Sequence, residues 1–211
     1  MASLGYEQFD PLFEPCPATV PGYLVLLNLH TDAPAIVEQV RSAVEAAGRD
    51  ADRLIMSMLS NQNWRVQLVG ATAALIAQSQ SSVEALWSAL DRPCWTSPQL
   101  AAVASRMDRD FLAHARPRLE SGCQMQADGM AEMSMLERHS AQGPQSLLGH
   151  SAKLAAALAA LCASEGAADP WITGLLSRPD LKSVIEADVD DAASIALDWR
   201  DQMDRLIANR D

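Results

Sequence analysis

Lysine is almost missing from this chain: of its sixteen basic residues only Lys153 and Lys182 are not arginine. Phenylalanine and tyrosine are scarce as well, three and two residues, which leaves little material for a β core of large pleated-surface side chains. No apolar run approaches the roughly 20 residues that a bilayer-spanning helix needs. The longest early one, YLVLLNL at 23–29, is far shorter, so no membrane partner is expected. The first residues, MASLGYEQFD, have no basic segment leading into an apolar stretch, and a secretory signal is therefore not expected. Cys16, Cys94, Cys123 and Cys162 lie far apart with no paired spacing. That pattern fits reduced thiols in a cytoplasmic protein better than a disulfide framework.

Chemical motifs are equally thin. No phosphate-binding glycine loop, HExxH helix or CxxC pair occurs. The stretch GHSAK at 149–153 starts like a nucleophile elbow but lacks the second glycine and a preceding strand, so an ordinary helix is expected there. The run DVDD brings Asp188, Asp190 and Asp191 together, yet Ala193 and Trp199 stand where a calcium loop needs glycine and glutamate. Acidic residues complementing the dipole at a helix start are the better account. Cys123, Met125, Met130, Met133, Met135 and His139 are soft ligands of the kind Cu(I) takes, but methionine is also an adaptable packing residue on loops and interfaces. His30, His114, His139 and His150 stand singly. No metal and no organic cofactor is expected.

The charge balance is one-sided, with a formal net charge of −11. Such a chain lacks the cationic footprint that phosphate backbones require. The nearest basic patch, Arg106, Arg109, Arg116 and Arg118, is interrupted by Asp108 and Asp110. Nucleic acid is not an expected partner; the acidic character suits a basic protein partner or plain solubility.

What the chain does have is alanine and helical periodicity. Hydrophobic residues make up 49% of it, enough to exclude disorder of the whole, and alanine carries no side-chain entropy cost in a helix. Residues 1–31 hold Pro11, Pro15, Pro17 and Pro21, with Phe9 and Phe13 placed to pin an irregular arm to the body; within it, YLVLLNLH reads as helical or extended packing. From Asp32, a candidate N-cap, the stripe Ile36, Val40, Ala43 or Val44, and Ala47 predicts a helix stopped by Gly48. Leu54, Ile55, Met58 and Leu59 predict a second helix, Val66, Val69, Ala73 and Ile76 a third, and Val83, Leu86, Trp87 and Leu90 a fourth. Ser97 as N-cap and Pro98 in the first turn open a helix carrying Leu100, Ala104, Met107 and Phe111, ending near Pro117. An irregular segment is expected at 121–145. Leu147, Leu154, Leu158 and Leu161 resume a helix up to about Gly166, short helices follow near 171–177 and 180–186, and Ala192, Ala196, Trp199, Met203 and Leu206 mark the last.

At an offset of thirty-one residues Ser57 meets Ser88, Leu59 meets Leu90, Trp64 meets Trp95, Ala71 meets Ala102 and Ala73 meets Ala104. Gly70 falls on Ala101, and a glycine inside a helix, which costs about 1 kcal/mol against alanine, implies a closely approaching neighbour. Helix, turn and helix at this period indicate an element of an α-solenoid. Trp64 and Trp95 are expected at equivalent buried places, each covering the turn before a second helix. The residues NWRVQLVGATAAL resemble the start of the second helix of HEAT repeats, with Asn61 or Asn63 as the polar cap, Trp64 as the bulky residue and Arg65 as the basic one. The second unit departs from the pattern, with Thr96 opposite Arg65.

The resemblance implies an all-α, HEAT-like superhelix of roughly eight or nine helices, a single domain over 32–211, and a curved scaffold that binds another macromolecule. The expected function is non-enzymatic protein binding, with Arg65, Arg106, Arg109 and His114 as candidate partner contacts. Two alternatives are a cytoplasmic immunity or inhibitor protein against a basic bacterial toxin, which the acidic charge would steer, and an enzyme with an unrecognised helical active site.

Overall fold

A computed structural model describes residues 5–14, 20–121, 144–166, 169–179, 181–182 and 191–208. The described residues are helical, with no strand among them. The α-helices in chain order are α1 (Gly22–Asn28), α2 (Ala33–Ala47), α3 (Ala51–Ser60), α4 (Trp64–Ala77), α5 (Val83–Leu90), α6 (Ser97–Met107), α7 (Phe111–Glu120), α8 (Pro144–Glu165), α9 (Pro170–Leu176) and α10 (Ala192–Ala208). Among the described residues no helix is long and apolar enough to cross a membrane.

The stripes read from the sequence become the buried faces. Leu54, Ile55, Met58 and Leu59 of α3 are buried, as are Val40, Ala43 and Ala47 of α2 and Ala192, Ala196, Trp199 and Met203 of α10. Gly48 ends α2 at φ +54°, a backbone region that glycine enters without steric cost. Helix α4 differs: every residue from Val66 to Leu75 is buried, so it has no solvent face. Its polar side chains turn inward with partners. The Thr72 hydroxyl donates to the Leu68 carbonyl at 2.9 Å, and the Gln67 amide donates to the Leu59 carbonyl at 3.5 Å.

Two helical hairpins form the centre. Ser79, just past α4, donates to Asp52 near the start of α3 at 2.7 Å, while Gln67 near the start of α4 reaches the end of α3, so the two helices run antiparallel. Gln80, just before α5, donates to the carbonyl of Met107 at the end of α6, 3.2 Å away, which makes α5 and α6 antiparallel too. The Cys94 thiol, ahead of α6, donates to Gln67 at 3.5 Å. Helices α4 and α6 therefore start at the same end and lie side by side, and α3 lies beside α5.

The far side of α4 and α6 is covered. Helices α1 and α2 pack on α4, and α8 and α10 pack on α6 and on each other. The seam is tied by α10: the Trp199 indole donates to the Leu26 carbonyl at 2.8 Å, and the Arg200 guanidinium reaches Glu165 at 3.0 Å and Ser164 at 3.2 Å. The early segment closes another edge, with Phe9 and Leu12 fully buried and the Tyr6 hydroxyl 3.3 Å from Ser57.

Three expectations are corrected. Trp95 is not the buried counterpart of Trp64: it is 52% exposed and precedes α6, whereas Trp64 is half-buried and opens α4. The turns explain this, since residues 61–63 join the first hairpin but 91–96 join the second. The helix from Ser97 does not continue to Pro117. It stops at Met107, where Asp108 turns extended (ψ 115°), and a new helix, α7, contains Pro117. Finally, the position before α6 is Thr96, and the Ser97 hydroxyl instead accepts from the Cys94 backbone N–H at 2.8 Å.

Candidate functional site

The predicted contact residues are spread over different elements. Arg106 points at α8 and α10, where it ion-pairs with Asp204 and with Glu165, the latter at 3.7 Å. Arg109 is exposed and has no ion pair among the described residues. His114 lies at the α6–α7 corner, and Arg65 lies far from it along the chain, in the first turn of α4. The structural positions also divide: Gly70 and Ala101 are buried in their helices, Trp64 is half-buried and Trp95 exposed.

Gly70 fulfils its expected role. A Cβ there would lie 2.7 Å from the Met58 Cβ and 3.3 Å from the Leu59 backbone nitrogen, so the absence of a side chain sets the distance between α3 and α4.

At the α6–α7 corner Asp108 is the organising residue. Its carboxylate accepts from the Trp87 indole at 2.7 Å, from the Asp110 backbone N–H at 2.9 Å, and meets His114 Nδ1 at 2.6 Å. Burial works to raise this carboxyl's pKa, but the bonds from His114, Asp110 and Trp87 outweigh it and hold the group below its ordinary value. The carboxylate is only 6% exposed and the imidazole half exposed. A carboxylate-oriented imidazole is one half of a nucleophilic device. Among the described residues no hydroxyl or thiol is bonded to its other nitrogen, and the arrangement serves to join α5, α6 and α7.

Around that corner a repeated three-part arrangement appears. The Arg118 guanidinium lies over the Trp87 ring at 4.5 Å and grips Asp91 through two bonds of 2.7 and 2.8 Å. Arg116 lies over Trp171 at 4.8 Å and bonds Glu120 at 2.9 Å, which also accepts from the Trp171 indole at 3.3 Å. The bond from Arg116 leads the causes that lower the Glu120 carboxyl below its usual range.

Arg65 shows the same arrangement without its third part. Its guanidinium lies 4.6 Å from the Trp64 ring and 5.4 Å from the Tyr23 ring, and those rings meet edge to face at 5.8 Å. Asn63 caps α4 by accepting from the Arg65 backbone N–H at 3.0 Å, and Asn61 accepts from Asn63 at 2.8 Å, which fixes where the side chain leaves the helix. No carboxylate pairs with Arg65 among the described residues. Tyr23 escaped the sequence reading because it belongs to α1, and nothing local announces that α1 packs on α4. Asp108 was legible in part, since Asp108 and Asp110 before an apolar residue have the form of a side-chain-closed turn.

The remaining candidates are quieter. Trp95 covers the ammonium of the buried Lys153, 3.9 Å from the ring centroid. His150 and Ser151 lie inside α8, and burial, then the Lys153 charge, lowers the His150 pKa. The Cys162 thiol is pushed up to about 12 by burial and Glu165, and burial also raises Cys94, so neither thiol is a poised nucleophile. No set of three metal-ligating His, Cys, Asp or Glu residues occurs among the described residues. The soft-ligand stretch from Cys123 to His139, and with it Asp188 and Asp190, lies outside the described residues.

No family model, curated protein or solved structure matches the chain.

Proposed function

We propose that this protein is a non-enzymatic scaffold of HEAT-like build that binds another protein at the end where α4 and α6 begin. The observation that carries this reading is Arg65, stacked on Trp64 and Tyr23 and without a carboxylate partner among the described residues. Aromatic rings beside arginine are the side chains most enriched where protein interfaces bind tightly. The stacked hairpins α3–α4 and α5–α6 support the repeat reading, with second helices side by side and Gly70 setting the spacing. An open array would offer the far side of its second helices to a partner; here the chain's own helices occupy it, which moves recognition to the helix ends. The carboxylate pairing of Arg106, Arg116 and Arg118 favours a protein partner over nucleic acid, because those cations are already neutralised.

A photo-crosslinking residue in place of Gln62, which is exposed beside Trp64, tests this in cells. The expected result is a discrete crosslinked protein that disappears with Trp64→Ala while the thermal midpoint shifts only modestly. The same crosslink from Trp64→Ala, or crosslinks only to bulk abundant proteins, would overturn the reading.

A further inference from the structure

We infer that the partner supplies an acidic side chain to Arg65, completing there the ring–guanidinium–carboxylate arrangement that the molecule builds twice among its described residues. This inference rests on the protein-binding reading above and specifies the chemistry of its contact. The two internal examples serve as templates. In Trp87–Arg118–Asp91 the ring takes one face of the guanidinium at 4.5 Å and the carboxylate takes its edge at 2.7 and 2.8 Å. In Trp171–Arg116–Glu120 the corresponding distances are 4.8 and 2.9 Å. Stacking does not consume the in-plane N–H donors, so face and edge are satisfied by different partners. At Arg65 the face is occupied, by Trp64 at 4.6 Å with Tyr23 beside it, and among the described residues nothing bonds the edge.

That edge is held in place before any ligand arrives. Asn63 and Asn61 fix the helix start, and two rings restrict the guanidinium, so less side-chain entropy is lost on binding. A planar, fixed fork selects a planar, two-oxygen acceptor. The neighbouring loop residues Asn61, Gln62 and Asn63 carry no charge, so no nearby carboxylate in the sequence competes. The net charge of −11 acts against an acidic segment at long range, but at physiological salt the screening length is about 8 Å and only nearby charges count at contact. Arg65 thus asks for a carboxylate, although the charge of the whole chain points to a basic partner.

The test uses the full chain and a synthetic peptide of alternating leucine and glutamate, titrated by fluorescence anisotropy at physiological salt. Comparators are the same peptide with glutamine or with lysine in place of glutamate, and an oligothymidylate. The acidic peptide is expected to bind, and the glutamine version to bind about tenfold more weakly, as loss of a charge-assisted, two-point contact implies. Arg65→Ala should reproduce that loss with an unchanged thermal midpoint. Arg65→Lys, which keeps charge but not the fork, should recover only part of it. Arg65→Glu should prefer the lysine peptide. Equal binding of the acidic peptide by the parent and Arg65→Ala, no binding of it by the parent, or preference of the parent for the lysine peptide or the oligothymidylate would each overturn the inference. Failure here with a Trp64-dependent crosslink intact would remove only the carboxylate; loss of that crosslink result would remove the binding reading itself.

Discussion

At Gly70 an added Cβ meets not a movable side-chain end but the Cβ and backbone of Met58 and the backbone of Leu59. Gly70→Ala must push α3 away, and overpacking of this kind costs about 1–3 kcal/mol, against the ~1 kcal/mol that alanine gains in a helix interior. Gly174 in α9 has open space where its Cβ would be, so Gly174→Ala should stabilise by about 0.5–1 kcal/mol. Urea midpoints of the two variants should therefore move in opposite directions. The tryptophans make a second contrast. Trp87 is buried, stacked on Phe111 at 5.8 Å and bonded to Asp108, and Trp87→Ala should cost about 3–5 kcal/mol. Trp95, half open to solvent but lying over the buried Lys153 ammonium, should cost about 1–2 kcal/mol on replacement by alanine, less than Trp87. Similar losses for the two in urea would mean that Trp95 is structural after all. The sequence made Trp95 look like the counterpart of Trp64 because its thirty-one-residue offset aligns letters without regard to turn length. It showed the need for a close neighbour at Gly70 correctly, because a helical glycine has a cost that packing must offset.

Among the helices, those with one dry face were legible and those with none, or with a hidden break, were less so. Helix α3 declared itself because Leu54, Ile55, Met58 and Leu59 recur at the helical period beside exposed Asp52 and Arg53. In α4 the neighbours surround the helix, so an amphipathic stripe understates its burial. The break after Met107 was invisible because Leu100, Ala104, Met107 and Phe111 keep the period through it, while side-chain bonds to Asp108 form the turn. That corner has a pH signature. Asp108 titrates below its ordinary value when folded, so its stabilisation is complete above the unfolded carboxyl's pKa, about 3.9, and is lost as pH falls through the folded value. Asp108→Ala leaves the Trp87 indole N–H unpaired and should cost about 1–3 kcal/mol near neutrality. Urea unfolding at pH 7 and again near pH 3 should show the gap from the parent narrowing at the lower pH; a gap that stays constant would deny Asp108 its charged role. Helix α10 makes a separate claim, since it covers α6 and α8 and ties α1 through Trp199. A chain ending before residue 191 should lose cooperative unfolding in urea; a sharp transition retained by that shorter chain would show α10 to be an accessory.

Taken whole, the molecule is two stacked helical hairpins enclosed by the helices that precede and follow them. Periodicity and the paired segments exposed the hairpins. The enclosure depends on contacts across the chain, such as Trp199 with Leu26 and Arg200 with Glu165, for which a single sequence carries no local mark. In the proposed function, enclosure is also the reason recognition falls at the end bearing Tyr23, Trp64 and Arg65 and not on the flank of α4 and α6. Native-state amide hydrogen exchange tests this most directly, because it reports the free energy at which each helix opens. Amides of Val66–Leu75 and Leu100–Met107 should exchange only by global unfolding, with an opening free energy equal to that from urea. Exchange of the α6 amides at a distinctly lower free energy, together with those of α8 and α10, would reveal a flank that opens while α3 and α4 stay folded, and would contradict a closed centre.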